Sequence, residues 1–224
     1  MHPALRRTIV ILLWSVLLVC AVAANAGSKK KSPPFSLKQV PDQTAQIRNI
    51  PSVTALQKCE NWAWAAALEM SLLKQGVPLG QKFWVDKANG GALCLNSAGT
   101  LESLARVVEG EYVLEDGRKF RLEVRWQESA PGTSDRVLVP LALGRPYILY
   151  WRGHAYVPQA ALWDEYIYPT GQKTMEIKEL TLLDPYESGE KQFAKFTADK
   201  DDASELGGVF EVIATEIAGS SPWK

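Results

Sequence analysis

The sequence predicts an α+β fold of two lobes, an N-terminal helical lobe followed by a C-terminal antiparallel β lobe. Three observations lead to this class. Helix-favouring segments and helical apolar spacing occur between residues 61 and 108, and strand-like segments dominate after residue 110. Asp116-Gly117 is a hairpin signal between two of those later segments. Together they place helices first and antiparallel strands second.

Three helices are predicted in the first lobe. The first begins at Asn61 or Trp62, because an asparagine side chain can cap a helix. Its alanine-rich sequence favours helix as far as Gln75, and Gly76 can end it. The second and third helices cover residues 81–88 and 100–108, and glycines follow both.

The second lobe is predicted to begin with a hairpin whose arms, residues 112–115 and 118–126, flank Asp116-Gly117. A short helix follows over residues 137–143, although Pro140 weakens it. The remaining strands are predicted over residues 146–151, 155–157, 165–168, 175–183, 192–197 and 209–215, with a turn at residues 169–171.

The N-terminal 26 residues have the features of an export signal. Arg6 and Arg7 precede an apolar run over residues 8–23, and Ala24-Asn25-Ala26 supplies the small residues that a signal peptidase reads. The alternative is an uncleaved membrane anchor, for which the run is slightly shorter than the ~20 residues that span a bilayer. We therefore expect a secreted or periplasmic protein, or one anchored in the membrane and facing outside. A flexible linker is expected over residues 27–45 and a folded domain over residues 46–218.

The charge of the chain gives no reason to expect a nucleic acid partner. The full chain carries 25 basic and 25 acidic residues, and the leader would remove two of the basic ones, which leaves a net charge of about −2. No basic stripe appears in the sequence. With 46% hydrophobic residues, the chain can fill one core.

Two cysteines, Cys59 and Cys94, follow the predicted leader. In an oxidising compartment such a pair is more often a disulfide than two free thiols. A bridge across this separation would stabilise the fold by about 4 kcal/mol. Two cysteines with the one histidine of the mature chain, His154, do not make a closed zinc site, so no metal or cofactor is expected.

The segment at the start of the first helix is the most informative for function. Gln57 is followed by five residues and then by Ala63-Trp64-Ala65. Later segments contain Gly153-His154 and Asp184-Pro185, and residues 89–94 precede Ala98-Gly99-Thr100-Leu101. This order of segments resembles the papain-like cysteine peptidases. It resembles especially the compact bacterial branch related to bacteriocin-leader peptidases and plant-pathogen effector proteases.

The resemblance implies a papain-like fold and a role for each matched residue. In such a protein Gln57 and the backbone N–H of residue 63 would stabilise an oxyanion. His154 would be the base, and Asp184 would orient its imidazole. Residues 89–94 look like the family's second-cysteine region, which tethers Cys94 to the cysteine just before the helix.

The resemblance places Ala63 at the position of the family's nucleophilic cysteine. A methyl group has no lone pair and cannot be acylated. We therefore expect a catalytically inactive homologue that binds peptide or protein segments in the groove between the lobes. Two alternatives remain open at this point: an active peptidase or transpeptidase that uses Cys59 as nucleophile with His154 and Asp184, and a purely structural module.

Overall fold

The structure is a computed structural model that describes residues 37–48, 55–128, 135–186 and 192–218. All of these residues belong to one unit, Phe35–Lys224. The predicted leader and the first part of the predicted linker lie outside the described ranges. Within those ranges, no helix combines the length and the apolar character needed to cross a membrane.

The described residues form four α-helices and eight antiparallel strands, which confirms the predicted α+β class. The helices are α1 Ala63–Leu73, α2 Gln81–Asn89, α3 Leu101–Val108 and α4 Asp135–Ala142. The strands are β1 Lys38–Gln46, β2 Gly110–Val113, β3 Lys119–Gln127, β4 Tyr147–Trp151, β5 His154–Ile167, β6 Lys173–Leu183, β7 Phe193–Thr197 and β8 Leu206–Glu216. Short 3-10 helices occur at Glu60–Trp62 and Ala203–Glu205.

The sheet is organised around β5. Seven strands follow the order β2-β3-β8-β4-β5-β6-β7, and β1 also pairs with β5. β5 is 14 residues long: β4 pairs with residues 154–156 of it and β1 pairs with residues 160–167. One strand therefore carries His154 at its start and the N-terminal strand of the domain along its second half.

Helix α1 is surrounded by protein. It contacts β4, β5 and β8 as well as α2. From Ala63 to Leu72, every residue except Glu69 is buried, which is why its sequence is apolar around the whole circumference. The buried side chains of helices and sheet form one contiguous cluster within the described residues. The first turn of α1 is therefore fixed by packing on several sides.

The start of α1 differs from the prediction. Asn61 does not cap the helix: its side chain donates to the carbonyl oxygen of Leu95 at 3.3 Å instead. Trp62 occupies the N-cap position without a side-chain cap bond. The preceding 3-10 turn, Glu60–Trp62, leads directly into the helix. Tertiary contacts thus replace the local cap that the sequence suggested.

Strand β1, Lys38–Gln46, lies where the sequence predicts the last part of a flexible linker, residues 27–45. Its polar residues and Pro41 are not typical of a strand, so the sequence does not indicate one here. Its pairing with β5 shifts register between Val40 and Gln43. Besides its backbone pairing with β5, the strand is held by Asp164 of β5, which is only 4% exposed. The Asp164 carboxylate accepts hydrogen bonds from the Gln39 side chain at 2.8 Å and from the Asp42 backbone N–H at 3.0 Å.

Strand β5 is also longer than predicted. The segments at residues 155–157 and 165–168 are parts of one continuous strand, His154–Ile167. Pro158 interrupts the sequence pattern, and the pairing with β6 shifts register between Pro158 and Ala160. Asp164 lies between the two predicted segments, and an acidic residue is not typical of a strand. Proline at a register shift is compatible with a sheet, although it reads as a break in sequence.

Gly208 in β8 has no room for a side chain. A Cβ there would lie 2.3 Å from Leu101 Cδ1 and 2.8 Å from the carbonyl oxygen of Gln127. We expect Gly208→Ala to lower the free energy of unfolding by about 1–3 kcal/mol through overpacking, measured by urea denaturation. The control is Gly91→Ala, whose added Cβ would meet nothing within 4 Å. Equal effects of the two substitutions would contradict the prediction.

Candidate functional site

A tight turn between β4 and β5 positions His154. Arg152 and Gly153 have φ angles of 52° and 76°, the left-handed values that a two-residue hairpin turn requires. Arg152 is held there by ion pairs to Glu205 at 2.6 Å and Asp201 at 3.2 Å. His154 follows as the first residue of β5 and lies opposite Trp151 of β4. The turn therefore fixes where the imidazole leaves the sheet.

His154 is hydrogen-bonded to Asp184. The distance from His154 Nε2 to Asp184 Oδ1 is 2.9 Å, and the two side chains are 28% and 15% exposed. An ionised carboxylate only accepts, so Nε2 carries the proton in this pair and the neutral ring keeps a lone pair on Nδ1. Asp184 Oδ1 also accepts the backbone N–H of Tyr186 at 2.8 Å. The pair can hold an imidazole in one orientation as a base.

The hydrogen bonds control the charge of Asp184. Burial raises the pKa of its carboxyl, but the hydrogen bonds from His154 and from the Tyr186 N–H lower that pKa by more. The net pKa of Asp184 is therefore below its ordinary value. Asp184 stays ionised at neutral pH and can fix the tautomer of His154.

We expect the stabilising effect of Asp184 to depend on pH. A carboxyl with a lower pKa in the folded than in the unfolded protein stabilises the fold above its unfolded pKa, about 3.9. That contribution is lost as pH falls through the folded pKa. Asp184→Asn should therefore unfold at lower urea concentration than the parent at pH 7, and the difference should shrink below about pH 4. A difference that is the same at pH 7 and in acid would contradict this.

Ala63 and His154 line the same cleft. Its walls come from the start of α1, from the loop segment 97–99 and from the β4–β5 hairpin. Ala63 is the first residue of α1 and is 8% exposed. Cys59 is not among the residues that line this cleft. Of the two candidate nucleophile positions, residue 63 is therefore the one that shares this cleft with His154.

The sulfur of Cys59 is bonded to Cys94, with a Cα–Cα distance of 5.1 Å. This disulfide joins the loop before α1 to the segment that leads into the cleft wall. The Asn61 and Trp62 side chains add hydrogen bonds to the carbonyl oxygens of Leu95 and Leu93. A disulfide sulfur is not a thiolate, so the alternative that makes Cys59 the nucleophile is wrong for this structure.

Gln57 does not reach the cleft. Its side-chain Nε2 donates to the carbonyl oxygens of Cys59 at 3.1 Å and Glu60 at 2.8 Å, which uses both amide protons. Its Oε1 is buried and makes no hydrogen bond to a described residue. Its backbone N–H donates to the carbonyl oxygen of Pro185 at 2.7 Å. Gln57 therefore ties the approach to α1 to the Asp184 segment and is not free to bind an oxyanion.

Tyr156 is a neighbour of the site that the sequence analysis did not single out. Its ring meets the His154 ring edge to face, with centroids 4.7 Å apart. Burial and the nearby charge of Asp184 raise the pKa of its hydroxyl. The sequence does indicate this contact, because Tyr156 follows His154 by two residues and residues two apart in a strand share a face. Tyr156 packs on the imidazole and restricts its rotation.

The fold and the site define a mixed α+β protein with a histidine–aspartate pair beside a cleft and an alanine at the helix start. Among the described residues, no group of three or more His, Cys, Asp or Glu side chains is placed to hold a metal ion.

Comparison with known proteins adds a distant structural likeness. No protein-family model matches the chain, and no curated protein matches it. Among solved structures, the chain is similar to "Crystal structure of UfSP from C.elegans", with a TM-score of 0.38 and 12% sequence identity. The match covers 84% of this chain and 36% of that chain, so the present chain spans about a third of it. A likeness this distant assigns neither a family nor a role to any residue.

Proposed function

We propose that this protein is an inactive homologue of the papain-like cysteine peptidases that binds peptide or protein segments in the Ala63–His154 cleft without cleaving them. The observation that carries the proposal is the composition of that cleft. Ala63 and His154 line it together, and His154 is paired with Asp184 at 2.9 Å. The cleft thus contains a histidine–aspartate pair of the kind that activates a thiol, together with Ala63, which cannot act as a nucleophile.

The chemistry of the side chains supports inactivity. Acyl transfer requires a lone pair on the residue at the helix start, and the Ala63 methyl has none. His154 could activate only water, and catalysis that remains after loss of a nucleophile is smaller by several orders of magnitude. The amide protons of Gln57 are also occupied by the 3-10 turn. The nucleophile is therefore absent, and the Gln57 amide is not available as an oxyanion donor in this arrangement.

The lining of the cleft supports binding of extended peptides. Five of its residues have a side chain no larger than a methyl group, so the backbone of a ligand can approach the backbone of the protein closely. They are Ala63, Ala98, Gly99, Gly153 and Ala155. The exposed side chains of Asn61 and Ser97 add polar groups to the same walls. Proteins commonly hold extended peptides through hydrogen bonds to the peptide main chain, and these require such a close approach.

We propose further that the protein works outside the cytoplasm, exported with its leader removed or held by it as a membrane anchor. The Cys59–Cys94 disulfide supports this, because such bonds persist in oxidising compartments. Cell fractionation with N-terminal sequencing of the recovered protein tests it. A full-length protein in the cytoplasm with reduced cysteines would refute this proposal.

The binding function can be tested by selecting peptides from a random display library on the full chain. We expect a selected peptide to bind in calorimetry and to remain intact in the mixture by mass spectrometry. Ser97→Arg should weaken binding at least tenfold, because Ser97 is exposed and lines the cleft. The matched control is Val113→Arg, which is 65% exposed on β2 and lies outside the cleft.

The outcomes separate the alternatives. Turnover of peptides by the parent protein that His154→Ala abolishes would identify an enzyme and refute inactivity. Equal binding by Ser97→Arg and Val113→Arg, or selection of no peptide, would refute binding in this cleft and favour a structural module.

A further inference from the structure

The Ala63–His154 cleft is lined by two residues whose side chains can be charged near neutral pH, Glu60 and His154. The other lining residues are uncharged at that pH. The volume of the cleft is about 380 Å³, within the range of ligand sites. The charge that a bound peptide meets in the cleft is therefore set by these two residues and by the groups paired with them.

The site carries a net negative charge. Glu60 is exposed and forms no ion pair with a described residue. The carboxylate of Asp184 lies 2.9 Å from His154. It balances the charge of the imidazole when the ring is protonated, and it adds a negative charge when the ring is neutral. In both states of the ring, Glu60 remains without a counter-charge.

The backbone of Glu60 is held in place before a ligand arrives. Its carbonyl oxygen accepts a hydrogen bond from Gln57 Nε2 at 2.8 Å. The preceding residue, Cys59, is bonded to Cys94 through the disulfide. A group that is already positioned loses less conformational entropy when it binds. The carboxylate is therefore carried on a fixed part of the cleft wall.

Neutral acceptor oxygens line the same cleft. Asn61 Nδ2 donates to the carbonyl oxygen of Leu95, and Asn61 Oδ1 accepts no hydrogen bond from a described residue. Ser97 is exposed, and its hydroxyl oxygen can also accept. A guanidinium group carries five N–H donors and no acceptor, and two of its parallel N–H groups fit one carboxylate. The acceptors of the cleft thus match the donors of an arginine side chain.

Other side chains of a peptide would suit Glu60 less well. A ligand that covers this residue removes water from its carboxylate. An apolar side chain would leave the charge without a partner, which is costly. An acidic side chain would add repulsion from both Glu60 and Asp184. Only a basic side chain supplies the missing counter-charge.

We propose that Glu60 makes the cleft selective for peptide segments that contain an arginine. The guanidinium group of that arginine donates to the Glu60 carboxylate and to Asn61 Oδ1. No bond is made or broken. This inference rests on the peptide binding proposed above and names the class of peptide that the cleft takes.

The test begins with the peptides selected from the display library on the full chain. We expect arginine to be enriched at one position of their sequences. In the strongest binder this arginine is then replaced by citrulline, which has nearly the same shape and no charge. Calorimetry should show an affinity lower by about tenfold or more, because a charge-assisted pair is lost. Lysine at this position should bind with intermediate affinity, since it keeps the charge without the planar pair of donors.

Glu60→Gln shows whether Glu60 is the partner. This variant should bind the arginine peptide about tenfold more weakly and should no longer distinguish it from the citrulline peptide. Glu60 is exposed, so the substitution is compatible with folding. Glu216→Gln is the matched control: Glu216 is exposed at the end of β8 and outside the cleft, and its replacement should change neither affinity.

The outcomes distinguish this inference from the proposed function. The inference is overturned, and peptide binding stands, if the selected peptides bind in the cleft without enrichment of arginine. The same holds if the citrulline peptide binds as well as the arginine peptide, or if Glu60→Gln keeps the full preference for arginine. Selection of no peptide would overturn the proposed peptide binding, and this inference with it.

Discussion

Ala63→Cys is expected to give a thiol that iodoacetamide alkylates about 30–100-fold faster at pH 6 than an ordinary exposed cysteine does. Residue 63 is the first residue of α1 and shares a cleft with His154. The partial positive charge of a helix N-terminus and a neighbouring imidazolium both lower a thiol pKa and so increase the thiolate fraction. The rate can be followed by mass spectrometry of the peptide that contains residue 63. Cys59 and Cys94 do not interfere, because they are bonded to each other.

Two comparisons make this result specific. Val113→Cys places a thiol at an exposed position on β2 and supplies the ordinary rate. Adding His154→Ala to Ala63→Cys should remove most of the acceleration, because the imidazolium is lost while the helix remains. If Ala63→Cys reacts no faster than Val113→Cys, His154 does not activate residue 63. The proposed equivalence of residue 63 and His154 to the nucleophile and base of a thiol peptidase would then be refuted.

Peptide hydrolysis by Ala63→Cys is a separate measurement, because it also requires an oxyanion donor. Both amide protons of Gln57 are bonded to the carbonyl oxygens of Cys59 and Glu60. Loss of one such donor typically costs about 100–1,000-fold in rate. We therefore expect fast alkylation with slow hydrolysis. If Ala63→Cys hydrolysed peptides without this loss in rate, the Gln57 side chain would have to leave the 3-10 turn when a peptide binds.

Loss of the Cys59–Cys94 disulfide should lower the free energy of unfolding by about 4 kcal/mol, as expected for a loop of this size. The bridged cysteines are 35 residues apart. In Cys59→Ser/Cys94→Ser the unfolded chain regains the entropy that the bridge removes, so urea denaturation should show a lower midpoint. Peptide binding should also weaken, because the bridge holds the segment that continues into the cleft wall at residues 97–99.

The single variants provide the control. Cys59→Ser and Cys94→Ser should each lose about as much stability as the double variant, because removal of either sulfur breaks the same bond. A reductant should destabilise the parent by a similar amount and leave the double variant unchanged. If the losses in free energy of unfolding of the two single variants summed to the loss in the double variant, the serines would act locally and the bridge would contribute little.

The elements that could be predicted from sequence are those fixed by local chemistry. Helix α3 is one: the Thr100 side chain accepts the Ser103 N–H as an N-cap, and the apolar residues follow one face. The hairpin around Gly117, which has a φ of 84°, is another. Strand β1 could not be predicted, because its stability depends on Asp164, more than 100 residues away in the chain. Long-range hydrogen bonds leave no local pattern.

The candidate site divides in the same way. The contexts of His154 and Asp184 are visible in the sequence because His154 follows Gly153, whose backbone can adopt a positive φ, and Asp184 precedes Pro185, whose φ is fixed. The structure brings these two side chains to hydrogen-bonding distance. The place of Gln57 could not be predicted, since a 3-10 turn offers its amide two carbonyl oxygens. The spacing of these residues along the chain indicates which of them belong to a candidate site. It does not predict their hydrogen-bond partners.

The pairing of β1 with β5 determines where the start of β1 lies relative to the cleft. Lys38, at the start of β1, pairs with Ile167, whereas His154 lies at the other end of β5. At ~3.3 Å per residue, these ends are roughly 40 Å apart along the strand. The polypeptide that enters the domain at Lys38 therefore does so remote from the cleft. The start of β1 and the cleft therefore lie at opposite ends of β5.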